Sequence, residues 1–93
     1  MIDRIADSDL KALSLDEIAR LIGCSWLNKD GNSNVHPTAK PYLEAMADLE
    51  NIGDNYGCDS GRSVVLYFLA NASAFRGEAA KAIKAELNRR LKL

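Results

Sequence analysis

The stretch Gly61-Arg62-Ser63-Val64-Val65-Leu66-Tyr67-Phe68-Leu69-Ala70-Asn71-Ala72 decides the fold. Asp59 or Ser60 stands before it as an N-cap, because a short side-chain oxygen can accept from the exposed N–H groups of a helix start. From Val64 to Ala70 the run is apolar on every side. A β-branched run of this length also suits a buried strand. Ala70-Asn71-Ala72 and the helical patterns on both flanks leave such a strand without a partner, so a helix is predicted from about residue 61 to 72. A helix apolar all round is enclosed by other elements, which puts it at the centre of the molecule.

Working outward, Ser14-Leu15-Asp16-Glu17 matches a capping box, a hydroxyl N-cap with a carboxylate three residues on. Leu15, Ile18, Ala19 and Ile22 follow at helical spacing, and Gly23 is the expected stop. This predicts a helix over 15–23, with residues 1–13 irregular or holding a short helix. Residues 26–35 are rich in turn formers and include Asp30-Gly31. A plain loop is expected over a hairpin, since the flanks are too short for stable strands. A further helix starts near residues 37–41, where proline is tolerated in the first turn, and continues through Leu43, Met46 and Ala47 to about Asn51. Residues 55–61 read as a polar, glycine-rich link with room for one helical turn. The last helix opens at Ser73 or Ala74 and runs to about Leu91, with Ala80, Ile83, Leu87 and Leu91 as its apolar stripe and Gly77 inside its first turn. The expected fold is all-α: a compact bundle of four to five short helices in one domain spanning 1–93.

Composition agrees with that class. The chain has 93 residues, 47% hydrophobic and 27% charged, which excludes disordered, collagen-like and disulfide-scaffold chains. Its net charge of −1 argues against a uniformly basic nucleic-acid coat. The start Met1-Ile2-Asp3-Arg4-Ile5-Ala6-Asp7 lacks the apolar core of a signal peptide, and seven consecutive apolar residues fall far short of the ~20 that span a bilayer. The expected location is the cytoplasm, away from membranes. Cys24 and Cys58 form no C-x-x-C pair and read as reduced thiols, a bridge between them being the other reading. With His36 as the lone histidine, no four-ligand zinc site can be assembled without carboxylates.

Charge is unevenly spread. From Ala45 to Gly61 stand Asp48, Glu50, Asp54 and Asp59 with no base, whereas the last eighteen residues carry Arg76, Lys81, Lys84, Arg89, Arg90 and Lys92 against Glu78 and Glu86. Cations suit a helix C-terminus, and Glu86 and Arg90 can pair at i, i+4. The same helix can also dock on phosphates or an acidic protein.

No motif supplies catalysis. Asp30-Gly31-Asn32-Ser33-Asn34 starts like a calcium loop, but Val35 stands where glycine is needed and Pro41 where glutamate is. Gly57-Cys58-Asp59-Ser60-Gly61 is not a nucleophile elbow and has no base within reach but the distant His36. Neither a metal nor another cofactor is expected, and the chain is read as a non-enzyme. Asn71-Ala72-Ser73 matches a glycosylation sequon by chance, in a chain without a secretory signal. Ser60, Arg62 and Ser63 at a helix start can hold an anion as well as cap. Phe75 can act as a hydrophobic staple, or can join Arg76 as a contact pair. Trp26, Tyr42 and Tyr56 read as core or core edge first, interface second.

The segments Pro41-Tyr42-Leu43-Glu44-Ala45-Met46, then the run from Asn55-Tyr56-Gly57-Cys58-Asp59-Ser60 through Phe68-Leu69-Ala70-Asn71-Ala72, then Phe75-Arg76-Gly77-Glu78-Ala79-Ala80-Lys81, together resemble small helical proteins encoded by phages and prophages. The resemblance covers about residues 38–92 and carries no catalytic residue over. It implies a mobile-element protein made inside a bacterium, a setting in which small proteins, anti-CRISPR proteins among them, block host defences by binding them. The expected function is therefore a non-enzymatic, phage-type binding protein contacting a host or phage protein complex through Tyr56, Asp59, Arg62, Phe75 and Arg76. The alternative is nucleic-acid or nucleotide binding through Ser60, Arg62, Ser63, Lys81, Lys84, Arg89, Arg90 and Lys92. Self-association would assist so small a core.

Overall fold

The computed structural model describes residues 10–57 and 59–92, with Tyr56 described by its backbone alone. The short helix expected within 1–13 falls mostly outside those residues, as do the state of Cys58 and the exposure of the Tyr56 ring. The described residues are mainly helical: α1 (Leu15–Ser25), α2 (Lys40–Met46), α3 (Gly61–Ala70) and α4 (Glu78–Leu91), with a two-strand ribbon of β1 (Asn55–Tyr56) and β2 (Asp59–Ser60) ahead of α3.

Helix α1 begins as its sequence dictates. The Ser14 N–H donates to Glu17 Oε1 at 2.9 Å, satisfying a group that the helix itself leaves unpaired. Leu15, Ile18, Ala19 and Ile22 form the buried face. Gly23 does not stop the helix, which runs to Ser25, and the Trp26 N–H closes the last turn on the Ile22 carbonyl at 2.9 Å. The reason is Trp26, whose ring enters the core and draws the final turn with it.

Residues 26–34 are more ordered than the plain loop expected. Leu27 and Ser33 form an antiparallel bridge, and the Asn34 N–H donates to the Trp26 carbonyl at 2.8 Å. Asn28 organises the turn: its Oδ1 accepts from the N–H groups of Asp30 and Asn32 at 2.9 and 3.0 Å. Gly31, at φ +83°, takes the left-handed position that such a turn needs.

Helix α2 is shorter than its apolar pattern suggested. After Met46 the chain tightens into successive i→i+3 turns (Asp48 N to Ala45 O, Leu49 N to Met46 O), and these carry Leu49 into the core. The link at 55–61 is a strand pair rather than a helical turn, with Asn55 opposite Ser60 and Tyr56 opposite Asp59. Gly57, at φ +60°, lies between the strands.

Helix α3 starts directly from β2. Ser60 is its N-cap, its Oγ accepting from the Ser63 N–H at 3.1 Å. Gly61 sits where a Cβ would come within 2.8 Å of the Ile52 carbonyl oxygen and 2.9 Å of the Asp54 carbonyl oxygen, so only glycine fits. Gly61, Val64, Val65 and Phe68 are buried. The helix is not enclosed on every side: Leu66 and Tyr67 are 55% and 51% exposed.

Helix α4 begins four or five residues later than expected. Gly77 is its N-cap at φ +109°, a backbone conformation that breaks any helix started at Ser73 or Ala74. The expected stripe is otherwise present, with Ala80, Ile83 and Leu87 fully inside and Leu91 half-buried. The core knits these elements around three aromatic rings. Trp26 stacks on Phe75 with centroids 5.1 Å apart and meets Phe68 edge-on at 6.4 Å.

Candidate functional site

Two surfaces stand out, one apolar and one basic. The first is the outer side of α3. Its inner positions follow the helical period from Gly61 through Val64 and Val65 to Phe68, which turns Arg62, Leu66 and Tyr67 outward. Tyr67 is not isolated, because its ring packs on half-buried Tyr42 of α2 with centroids 5.5 Å apart. Arg62 stands one turn before Leu66 and donates from Nη1 to the Leu91 carbonyl. The result is a shallow aromatic–aliphatic ridge with a guanidinium at one end.

The second surface is the C-terminal half of α4. Arg89 donates to Glu86 from Nε at 2.9 Å and Nη2 at 2.7 Å, and Arg90 Nε donates to the same carboxylate at 2.6 Å. Hydrogen bonds from Arg89, joined by those from Arg90, hold the Glu86 carboxyl at a pKa of about 2, against the opposing effect of burial. Arg90 Nη2 also donates to the Leu10 and Leu13 carbonyls at 2.8 and 2.7 Å. Beside this network lie two adjoining clefts of about 200 and 240 Å³ that share Lys11 and Arg89.

The expected contact residues divide sharply. Asp59 and Arg76 are exposed, as is Arg62. Phe75 is withdrawn from the contact set: at 2% exposure it is a core ring, because stacking on Trp26 removes it from water. The Tyr56 ring lies outside the described residues. Among the expected anion-binding residues, Ser60 and Ser63 are occupied with each other in the α3 cap, their hydroxyls 3.0 Å apart. Lys81 and Lys92 are exposed. Lys84 folds back to donate from Nζ to the Phe75 carbonyl at 2.6 Å, and desolvation, with the Arg76 charge behind it, lowers its pKa. Arg90 is 9% exposed and spends Nε and Nη2 on Glu86 and the Leu10 and Leu13 carbonyls, so most of its donors serve as a structural tie. The basic helix therefore presents fewer cations than its sequence advertises.

Sequence reading missed Leu66, Tyr67 and Lys11. The first two were legible: at 3.6 residues per turn Leu66 falls opposite Val64 and Phe68, and Tyr67 falls at the border of that buried face. Lys11 was not, since it meets Arg89 only through tertiary structure. Cys24 is an exposed free thiol. No described helix is long and apolar enough to cross a membrane, and no group of three or more His, Cys, Asp or Glu side chains capable of holding a metal occurs among the described residues. No protein-family model, curated protein or solved structure matches the chain.

Proposed function

We propose that this chain is a non-enzymatic binding protein that acts by protein–protein contact through the Arg62–Leu66–Tyr67 face of α3. The observation that carries the reading is the pair Leu66 and Tyr67, two large apolar side chains more than half exposed and adjacent on an otherwise well-packed helix. Aromatic and arginine side chains are the commonest anchors of protein interfaces; this face offers Tyr67 packed on Tyr42, with Arg62 one turn before Leu66. Asp59 and Arg76 would belong to the polar rim. The resemblance to small phage-encoded helical proteins supports a bacterial protein complex as the partner and inhibition of a defence system as the outcome, within the host cytoplasm.

The nucleic-acid reading receives less support. Arg90 is largely committed internally, Arg89 is paired to Glu86 and Lys84 caps a loop carbonyl, which leaves Lys81 and Lys92 as the exposed remainder of the five bases on α4 and its C-cap. The test is capture of partners by the tagged chain from a bacterial lysate treated with nuclease, compared with the double variant Leu66→Glu/Tyr67→Glu. A protein complex retained by the native chain and lost with the variant supports the reading. Retention that disappears with nuclease, or that ignores the variant, overturns it.

A further inference from the structure

The cleft at the C-terminal end of α4 is lined by Lys11, Leu13, Asn51, Ile52, Arg89 and Arg90 and encloses about 240 Å³. Three cations border it, whereas its neighbour contributes a single carboxylate, Glu86. Among the described residues, two positive charges are therefore left uncompensated around one small volume. Donor geometry agrees. Glu86 takes Nε and Nη2 of Arg89 and Nε of Arg90, and the Leu10 and Leu13 carbonyls take Nη2 of Arg90. Nη1 of Arg89, Nη1 of Arg90 and Nζ of Lys11 meet no acceptor among the described residues. Arg90 is fixed by three hydrogen bonds, to Glu86 and to the Leu10 and Leu13 carbonyls, and Arg89 is held in a fork by Glu86, so the guanidinium donors are preorganised rather than free-swinging. Guanidinium groups match the oxygens of a phosphate, and an ammonium beside them adds a point charge.

We propose that this cleft binds a phosphate dianion, either free or as the terminal group of a small phosphate monoester. Two net positive charges fit a doubly charged group better than a carboxylate, and Leu13 and Ile52 supply an apolar wall for a short organic substituent. This site differs from the helix start at Ser60–Ser63, whose donors are consumed in the cap. It also uses none of the residues of the α3 ridge, so either assignment can fail alone.

Inorganic phosphate is the probe. The full ¹⁵N-labelled chain is titrated at pH 7.5 while chloride keeps ionic strength constant, and amide shifts are followed by NMR. The expected result is saturable movement confined to residues 11, 13, 51, 52 and 89–91. Lys11→Ala should weaken binding about tenfold, the effect of losing one charge-assisted contact. Lys29→Ala, an equal change in net charge in the exposed 27–34 turn, should leave it unaltered. Lys11 is exposed and makes no described hydrogen bond, so its variant keeps the fold; an unchanged melting temperature verifies that. Phenyl phosphate forms the second arm: tighter binding than inorganic phosphate supports a monoester occupant, and equal binding supports free phosphate. Shifts that never saturate, that scatter over the surface, or that are the same for Lys11→Ala and the native chain overturn the proposal.

Discussion

Arg90 Nε lies 2.6 Å from Glu86 Oε2 one helical turn before it, and the same guanidinium reaches across to the Leu10 and Leu13 carbonyls. One side chain thus ties the end of the last helix to a segment nearly eighty residues earlier. The carbonyls it serves sit just ahead of α1, where the Leu10 carbonyl also accepts from the Leu13 N–H at 3.2 Å. Removing one member of a buried, hydrogen-bonded ion pair leaves the other charge uncompensated and costs about 3–5 kcal/mol. Arg90→Met should therefore lower the stability measured by urea unfolding at pH 7 by about 3 kcal/mol. A loss below about 1 kcal/mol would show that water replaces the guanidinium at both carbonyls.

Acid should dismantle the same tie. Glu86 has its folded pKa lowered to about 2 from 4.5, so its contribution is present above the unfolded value and is lost as pH falls from about 5 towards 2. The shift corresponds to roughly 3 kcal/mol at neutral pH. Glu86→Gln should be less stable than the native chain at pH 7, and the gap should close as pH approaches 2. Asp16 and Glu17 in the first turn of α1 also have lowered pKa values, through hydrogen bonds with Ser14, but both are solvent-screened and are common to native chain and variant. Denaturant midpoints of both proteins across pH 2–7 check this; a gap independent of pH would remove Glu86 ionisation as its source.

Two glycines make opposite predictions. Gly61 is boxed in by the backbone carbonyls of Asn51, Ile52 and Asp54 at 2.8–3.1 Å from where a Cβ would be, and backbone cannot rotate away as a side chain can. Gly61→Ala should cost about 1–3 kcal/mol, the range for forced overpacking. Gly23 lies inside α1 with nothing within 4 Å of a Cβ. Gly23→Ala should raise stability by about 0.5–1 kcal/mol through helix propensity alone. Thermal melts of the two variants suffice, and the same sign for both would refute the packing argument.

Those glycines also mark what a sequence can and cannot disclose. The capping box at Ser14–Glu17, the Ser60 cap and the Glu86–Arg90 pair were all legible, because each depends on residues three or four positions apart. The late start of α4 was not, since a glycine's residue type does not fix the sign of its φ, and Gly77 takes +109°. Nor were the strands at 55–60: two-residue strands have no periodicity to detect. Helix α3 was misjudged as enclosed because its mean apolarity outweighed its phase, and its phase is what exposes the ridge. The basic cleft is a tertiary object, joining Lys11, Asn51 and Arg89 from three separate parts of the chain.

That ridge yields the prediction that separates function from fold. Leu66 and Tyr67 are more than half exposed, so replacing them removes little buried surface. Surface substitutions away from caps and core stay within about 0.5 kcal/mol, and Leu66→Glu should fall there. Tyr67→Ala also gives up the ring contact with Tyr42, worth about 0.5–1.5 kcal/mol. Neither change should unfold the chain. At the centre of an interface, however, truncating an anchor of this kind costs 2 kcal/mol or more in binding, roughly thirtyfold in Kd. The measurement is affinity for the captured partner by calorimetry, with near-ultraviolet circular dichroism confirming the native core. A loss of affinity of that size, with the Trp26 signal intact, places the partner on α3; undiminished affinity in both variants moves the interface elsewhere.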